Sequence, residues 1–172
     1  EIIKQEASTE RYIDIPEDVR DGLIFLNRPS ILQRAYRLEQ YLKTPAKIYF
    51  KREDMSPLGS HKGNTALAQA YYNAKCGIHT LTTETGAGQW GTALVACANL
   101  FDIDTTVFMV RGSYDQKPSR KIITELYGGT IHPSPSVHTE FGRRYLKETP
   151  GSVGSLGIAI TEACEVASND PN

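Results

Sequence analysis

Apolar and polar positions along this chain switch repeatedly between two spacings. From Ile31 to Leu42 the apolar residues fall at 31, 32, 35, 38, 41 and 42, which is helical spacing. Lys47-Ile48-Tyr49-Phe50-Lys51 reads as a short strand, and Pro57-Leu58-Gly59 as a turn. A helix is predicted from about 61 to 75, with Ser60 as N-cap, Ala66, Leu67, Ala70 and Tyr71 as its apolar face, and Gly77 as its stop. A strand over 80–83, a helix over 89–101 and a β-rich run over 105–110 follow. Next come a helix over 117–127 ending at Gly128-Gly129, a short strand over 130–132, and helices over 139–146 and 158–167. Residues 1–29 read as polar and irregular, broken by Pro16, Gly22 and Pro29. Strands separated by helix-length segments predict parallel βαβ units, hence an α/β fold.

Composition narrows the function classes. The 172 residues suffice for one ordinary domain with its own core. A formal net charge of −1 gives no electrostatic attraction to nucleic acid or to an anionic membrane. No apolar run reaches membrane-spanning length, and the acidic, polar N-terminus does not resemble a signal peptide. Cys76, Cys97 and Cys164 are odd in number and widely spaced, which suggests a reducing compartment, taken as the cytoplasm, and no metal site. His79, His132 and His138 show no ligand spacing and are expected on the surface or in loops; Arg143-Arg144 reads as a solvated helix face. Tyr71-Tyr72 and Tyr127 are expected in the core or at an interface.

Two segments carry candidate chemistry. Ser60-His61-Lys62-Gly63-Asn64 puts a lysine in the opening turn of a helix, with polar neighbours ahead of the apolar positions. The positive end of a helix and partial desolvation favour the nucleophilic form of an amine. Glu84-Thr85-Gly86-Ala87-Gly88-Gln89-Trp90-Gly91 follows a strand and opens a helix. Glycines let backbone approach a ligand closely, and free N–H groups at a helix start bind carboxylate or phosphate. Gly86, Gly88 and Gly91 meet a dinucleotide fingerprint only in part, and Glu84 would repel a pyrophosphate; a carboxylate there suits proton transfer better. A Schiff-base amine, an acid–base group and an anion-binding turn are what a pyridoxal phosphate (PLP) enzyme acting on an amino acid requires.

Gly59-Ser60-His61-Lys62-x-Asn64 together with Glu84-Thr85-Gly86-Ala87-Gly88-Gln89 resembles the tryptophan synthase β subunit family, from about Arg28-Pro29 to the end of the chain. Trp90, where the common form has histidine, the long lead-in, and Tyr114-Asp115-Gln116-Lys117-Pro118 resemble its second, β2 lineage. The resemblance implies the three-layer parallel α/β fold of fold type II PLP enzymes, here incomplete. It implies PLP as cofactor, with Lys62 as the Schiff-base lysine, His61 beside the cofactor phosphate and Asn64 near the cofactor's 3-oxygen. Glu84 resembles the acid–base residue; Thr85, Gly86, Ala87, Gly88 and Gln89 resemble the turn that binds the substrate α-carboxylate, and Trp90 borders the substrate site.

The implied reaction replaces the hydroxyl of L-serine by indole, giving L-tryptophan. The implied partners are a second copy of the chain and, as a possibility, the tryptophan synthase α subunit. Gly63 stands where the family usually has an aliphatic residue, a change expected to loosen the helix by up to about 1 kcal/mol. Other readings stay open: a serine or threonine dehydratase, a cysteine or threonine synthase, or a non-catalytic binding remnant.

The expected organisation is residues 1–76 as an N-terminal segment with the start of the first PLP-enzyme domain, and 77–172 as a mobile middle α/β subdomain. The family's C-terminal half, with its phosphate cup, is expected to lie outside this chain. Gly151-Ser152-Val153-Gly154-Ser155 reads as a loop before the last helix, and the isolated chain is expected to bind PLP weakly and to be inactive.

Overall fold

A computed structural model describes residues 1–170. The chain runs α1 (Ile2–Glu6), α2 (Glu17–Phe25), β1 (Leu32–Arg34), α3 (Tyr36–Leu42), β2 (Tyr49–Lys51), α4 (Gly63–Lys75) and β3 (Thr80–Thr85). It continues with α5 (Gln89–Asn99), β4 (Asp104–Val110), α6 (Arg111–Gln116), α7 (Pro118–Leu126), β5 (Thr130–Ser134), α8 (Glu140–Glu148) and α9 (Leu156–Asn169).

Strands β3, β4 and β5 lie in that order and all pair in parallel. The pleat of β4 sets the layers. Val107 and Met109 pack with Val95 of α5, while Phe108 between them packs with Ala159 and Ala163 of α9. Helices therefore cover both faces, and the apolar centre of β4 is fully buried, as a parallel sheet requires. This is the three-layer parallel α/β arrangement expected of the sequence. Gly91 through Ala98 of α5 are all buried, and this helix joins the sheet to α4 and α2 through Ala66, Leu67, Ala70 and Leu26.

Small residues bring α5 down onto the sheet. A Cβ at Gly91 would sit 2.6 Å from Val107 Cγ1 and 3.1 Å from Thr85 Cγ2. Val107 is a stiff, fully buried side chain with nowhere to move. Gly91→Ala is therefore expected to cost about 1–3 kcal/mol, read as a lower urea midpoint at unchanged m-value. A neutral result would mean that α5 is free to lift from β4.

Several sequence expectations are corrected. Residues 1–29 hold two helices. In α2, Val19 and Gly22, with Leu26 just after it, recur at helical spacing and are buried. Gly22 is a contact rather than a breaker, because a Cβ there would meet Leu67 Cδ1 at 2.7 Å. Residues 31–42 form a strand and then a helix. Leu32 pairs with Lys51, and Arg34 with Tyr49, in an antiparallel ladder that outweighs the helical spacing. Glu39 of α3 pairs with Arg34 at 3.0 Å and accepts the Ile48 N–H at 2.7 Å. This unit is turned inside out: Glu39 is buried, whereas Ile31, Leu32, Tyr36, Leu38, Tyr41, Leu42, Tyr49 and Phe50 are exposed.

The fourth helix begins at Gly63 rather than 61, β3 runs on to Thr85, β5 to Ser134, and α6 occupies a stretch for which the sequence predicts no element. Gly63 does more than loosen its helix. A Cβ there would lie 2.8 Å from Leu58 Cδ1 and 3.0 Å from Leu26 Cδ1, so the bare backbone lets both leucines close over the first turn. His132 and His138, expected on the surface or in loops, instead stack their rings at 3.9 Å, with His132 on β5. Burial, with His138 adding to it, holds His132 below its ordinary 6.5. The neutral ring is the folded form, so its contribution to stability is present above pH 6.5 and is lost as pH falls.

Glu162 of α9 is 0% exposed. Its Oε1 accepts Ser136 N–H at 2.9 Å, Ser136 Oγ–H at 2.7 Å and Thr139 Oγ1–H at 2.6 Å, and its Oε2 accepts the Ser134 hydroxyl. Thr139 also caps α8 by accepting the Gly142 N–H at 3.0 Å. One carboxylate thus ties α9 to the whole β5–α8 connection.

Cys97 is buried in α5, and that burial pushes its thiol from 9.0 up to about 12. Its thiol form belongs to the fold, so this contribution to stability is present below pH 9 and is lost toward pH 12. Cys76 and Cys164 are exposed. Iodoacetamide at pH 8 should add two groups to the native protein and a third, on Cys97, only after denaturation. Native labelling of Cys97 would contradict this packing.

Candidate active site

The site lies at the carboxyl end of a parallel strand, where α/β sheets open a crevice for ligands. Strand β3 ends at Thr85, and α5 begins at Gln89. Gly86-Ala87-Gly88 makes the turn between them, with Gly88 at φ +93°, a conformation that glycine adopts at no steric cost. The N–H groups of Gly86, Ala87 and Gly88 donate to no protein group among the described residues. Behind the turn, the aliphatic stem of Arg120 lies where a Gly88 Cβ would be, at 2.8 Å.

A cavity of about 360 Å³ opens here, lined by Lys62, Glu84, Thr85, Gly86, Ala87, Gln89, Trp90 and Leu156. Lys62 comes from the turn before α4, Glu84 from β3 and Leu156 from the start of α9. Lys62 is half-buried, and among the described residues its amine has no hydrogen-bond or ionic partner. Its backbone is held instead. Ser60 Oγ accepts the Lys62 N–H at 3.4 Å. Arg28 donates through Nη2 to the Ser60 carbonyl at 2.8 Å and pairs through Nη1 with Glu53 at 2.9 Å. Asn27 donates to the Met55 carbonyl at 2.6 Å. The segment just after α2 thereby grips the stretch that presents Lys62.

Among the sequence candidates, Lys62, Glu84, Thr85, Gly86, Ala87, Gln89 and Trp90 line one cavity. Gly88 is buried at the turn. His61 is exposed and does not line the cavity. Asn64 lines a different hollow, with Ile13, Ile15, Pro16 and Tyr72. Leu156, Arg28 and Asn27 escaped sequence reasoning. A charged residue just before a proline carries no local sign that its fork will hold a carbonyl thirty-odd positions on. A larger hollow of about 620 Å³ between α2, α4 and the end of α5 presents Asp18, Asp21, Asp102 and Lys75 to solvent. Its amine, that of Lys75, is already paired with Asp18 at 3.7 Å, unlike that of Lys62. Among the described residues no cluster of His, Cys, Asp or Glu has the makings of a metal site, and no helix is long and apolar enough to cross a membrane.

A lysine at a helix start, without a partner among the described residues and lining one parallel-sheet crevice with a carboxylate and an N–H-rich turn, is the donor set of an enzyme that works through a reactive aldehyde. A family described as pyridoxal-phosphate dependent enzyme matches residues 24–165, and the chain belongs to it. Among curated proteins, it is 57% identical over 169 residues to tryptophan synthase beta chain 1 of Sulfurisphaera tokodaii, covering 98% of this chain and 40% of that one. It is 60% identical over 167 residues to tryptophan synthase beta chain 2 of Methanosarcina mazei, covering 97% and 38%. It is 56% identical over 172 residues to tryptophan synthase beta chain 2 of Thermotoga maritima, covering 99% and 40%. The chain thus spans about 40% of the length of these relatives. Among solved structures, O-acetylserine dependent cystathionine beta-synthase from Helicobacter pylori superposes with a TM-score of 0.62 at 19% identity, over 92% of this chain and 45% of that one. That likeness shows the fold.

Proposed function

We propose that this chain is the lysine-bearing portion of a tryptophan synthase β-type enzyme, which replaces the hydroxyl of L-serine by indole to give L-tryptophan. The observation that carries the reading is the meeting of Lys62 and Glu84, from separate elements, in one cavity that Gly86 and Ala87 of the glycine turn also line. The names of the relatives support the substrates.

The residues present fit PLP. An amine with no partner among the described residues lies in a cavity of a size ordinary for small-molecule sites, about 300–1,000 Å³. Lys62 would hold the group covalently through that amine; on the family resemblance, His61 and Asn64 belong to the cofactor side. When bound, the group supplies an electron sink. The chain's own residues do the rest. The N–H groups of the Thr85–Gln89 turn bind the substrate α-carboxylate. Glu84 gives a proton to the departing serine hydroxyl and takes one from indole. Trp90 walls the cavity.

On the same reading, residues 1–76 form the N-terminal segment and the start of the first domain. Residues 77–172, of which 171 and 172 lie outside the described residues, form the mobile middle subdomain. The enzyme works in the cytoplasm as a homodimer, for which the tryptophan synthase α subunit is a candidate partner. Borohydride reduction after incubation with PLP, followed by peptide mapping, tests the site: the pyridoxyl group is expected on Lys62. In a chain extended to the relatives' length, serine consumption is expected to depend on indole. An adduct confined to other lysines, or turnover indifferent to indole, overturns the reading.

A further inference from the structure

The cavity has one aromatic wall, and that wall is tethered. Trp90 donates its Nε1–H to Thr83 Oγ1 at 2.9 Å. Thr83 is 6% exposed, on the α5 face of β3. The bare backbone of Gly91 lets the first turn of α5 come close enough for this bond to form. Having accepted from Trp90, the Thr83 hydroxyl keeps its own proton. Among the described residues, its acceptors within reach both belong to Glu84: Oε2 at 3.5 Å and the main-chain carbonyl at 3.4 Å. One hydroxyl therefore stands between the aromatic wall and the carboxylate. Without it, the indole N–H of Trp90 would be a spare donor beside Glu84.

We propose that Thr83 is a positioning residue: its hydroxyl pins the Trp90 ring as a fixed wall and keeps the indole N–H away from Glu84. The proposal deepens the reading of this cavity as the cofactor and substrate site, and rests on it. Its consequence is a Glu84 carboxylate left free for substrate protons, with a rigid apolar surface beside it.

Trp90 is the only tryptophan in the chain, so its indole N–H gives a single nitrogen–proton NMR signal in the cofactor-free protein. That signal is expected downfield of free indole, with solvent exchange slowed about two- to ten-fold, the range for one hydrogen bond. Thr83→Val keeps the shape and deletes the hydroxyl; it should move the signal back, restore fast exchange and raise acrylamide quenching of Trp90 fluorescence. Thr83→Ser keeps the hydroxyl and should match the wild type in all three. The protected Cys97 thiol reports whether each variant has folded. A wild-type indole that exchanges like free indole overturns the proposal without recourse to any variant. So does a Ser variant that shifts as far as the Val variant, since the methyl group would then hold the ring. These readouts need no cofactor, so failure of PLP to label Lys62 would undo the site reading while leaving the tether separately tested.

Discussion

Lys62→Met is expected to remove the pyridoxyl adduct altogether and to lower turnover in the full-length enzyme by more than about 10³-fold, the loss typical of an enzyme deprived of its nucleophile. Stability should hardly change. The amine has no partner among the described residues, and methionine retains the stem that packs in the half-buried position. A shift below about 0.5 kcal/mol in chemical denaturation is the expected cost. This separation of chemistry from stability makes the variant informative. A large loss of stability would mean that Lys62 serves the fold, and an adduct surviving on another lysine would move the active amine elsewhere.

Glu162→Ala is expected to do the opposite, breaking the fold while touching nothing in the cavity. Four donors converge on this one buried carboxylate. Its removal strands three hydroxyls and an amide and opens a hole between α9 and the β5–α8 connection, at a cost of about 3–5 kcal/mol. In a chain of this size that lowers Tm by roughly 10 °C. Glu162→Gln should fall between Ala and the wild type, since its carbonyl can replace Oε1 while its NH₂ faces the Ser134 hydroxyl, which can turn to accept. If thermal denaturation places alanine level with the wild type, the four bonds contribute nothing net.

What the sequence revealed depended on how local each cause was. Strand β4 was legible because burial on both faces makes Val107, Phe108 and Met109 an unbroken apolar run. The turn at Gly86–Gly88 was legible because its glycines meet a conformational need within a few residues. Helix α2 was not, since its decisive contact is between Gly22 and Leu67, and no window of sequence contains both. Residues 31–42 misled because β1 is defined by its partner β2, so a true helical spacing lost to a cross-strand ladder. In the site, Lys62 and Glu84 could be picked out singly by type and context. Leu156 reaches the cavity only because α9 returns across the sheet. Glu162 carries no local mark, because its donors, Ser134, Ser136 and Thr139, all come from another segment. His61 and Asn64 come from the family resemblance alone, and neither lines the cavity beside Lys62.

The outward-facing apolar side chains of the β1–α3–β2 unit govern how this chain behaves as a colloid. With a net charge of −1 and an isoelectric point near 6.5, molecules at neutral pH carry almost no mutual repulsion. Nothing then opposes the attraction between Tyr41, which is 83% exposed, and its apolar neighbours on two colliding copies. Solubility should therefore pass through a minimum close to pH 6.5 and recover as carboxylates, histidines and thiols raise the charge on either side.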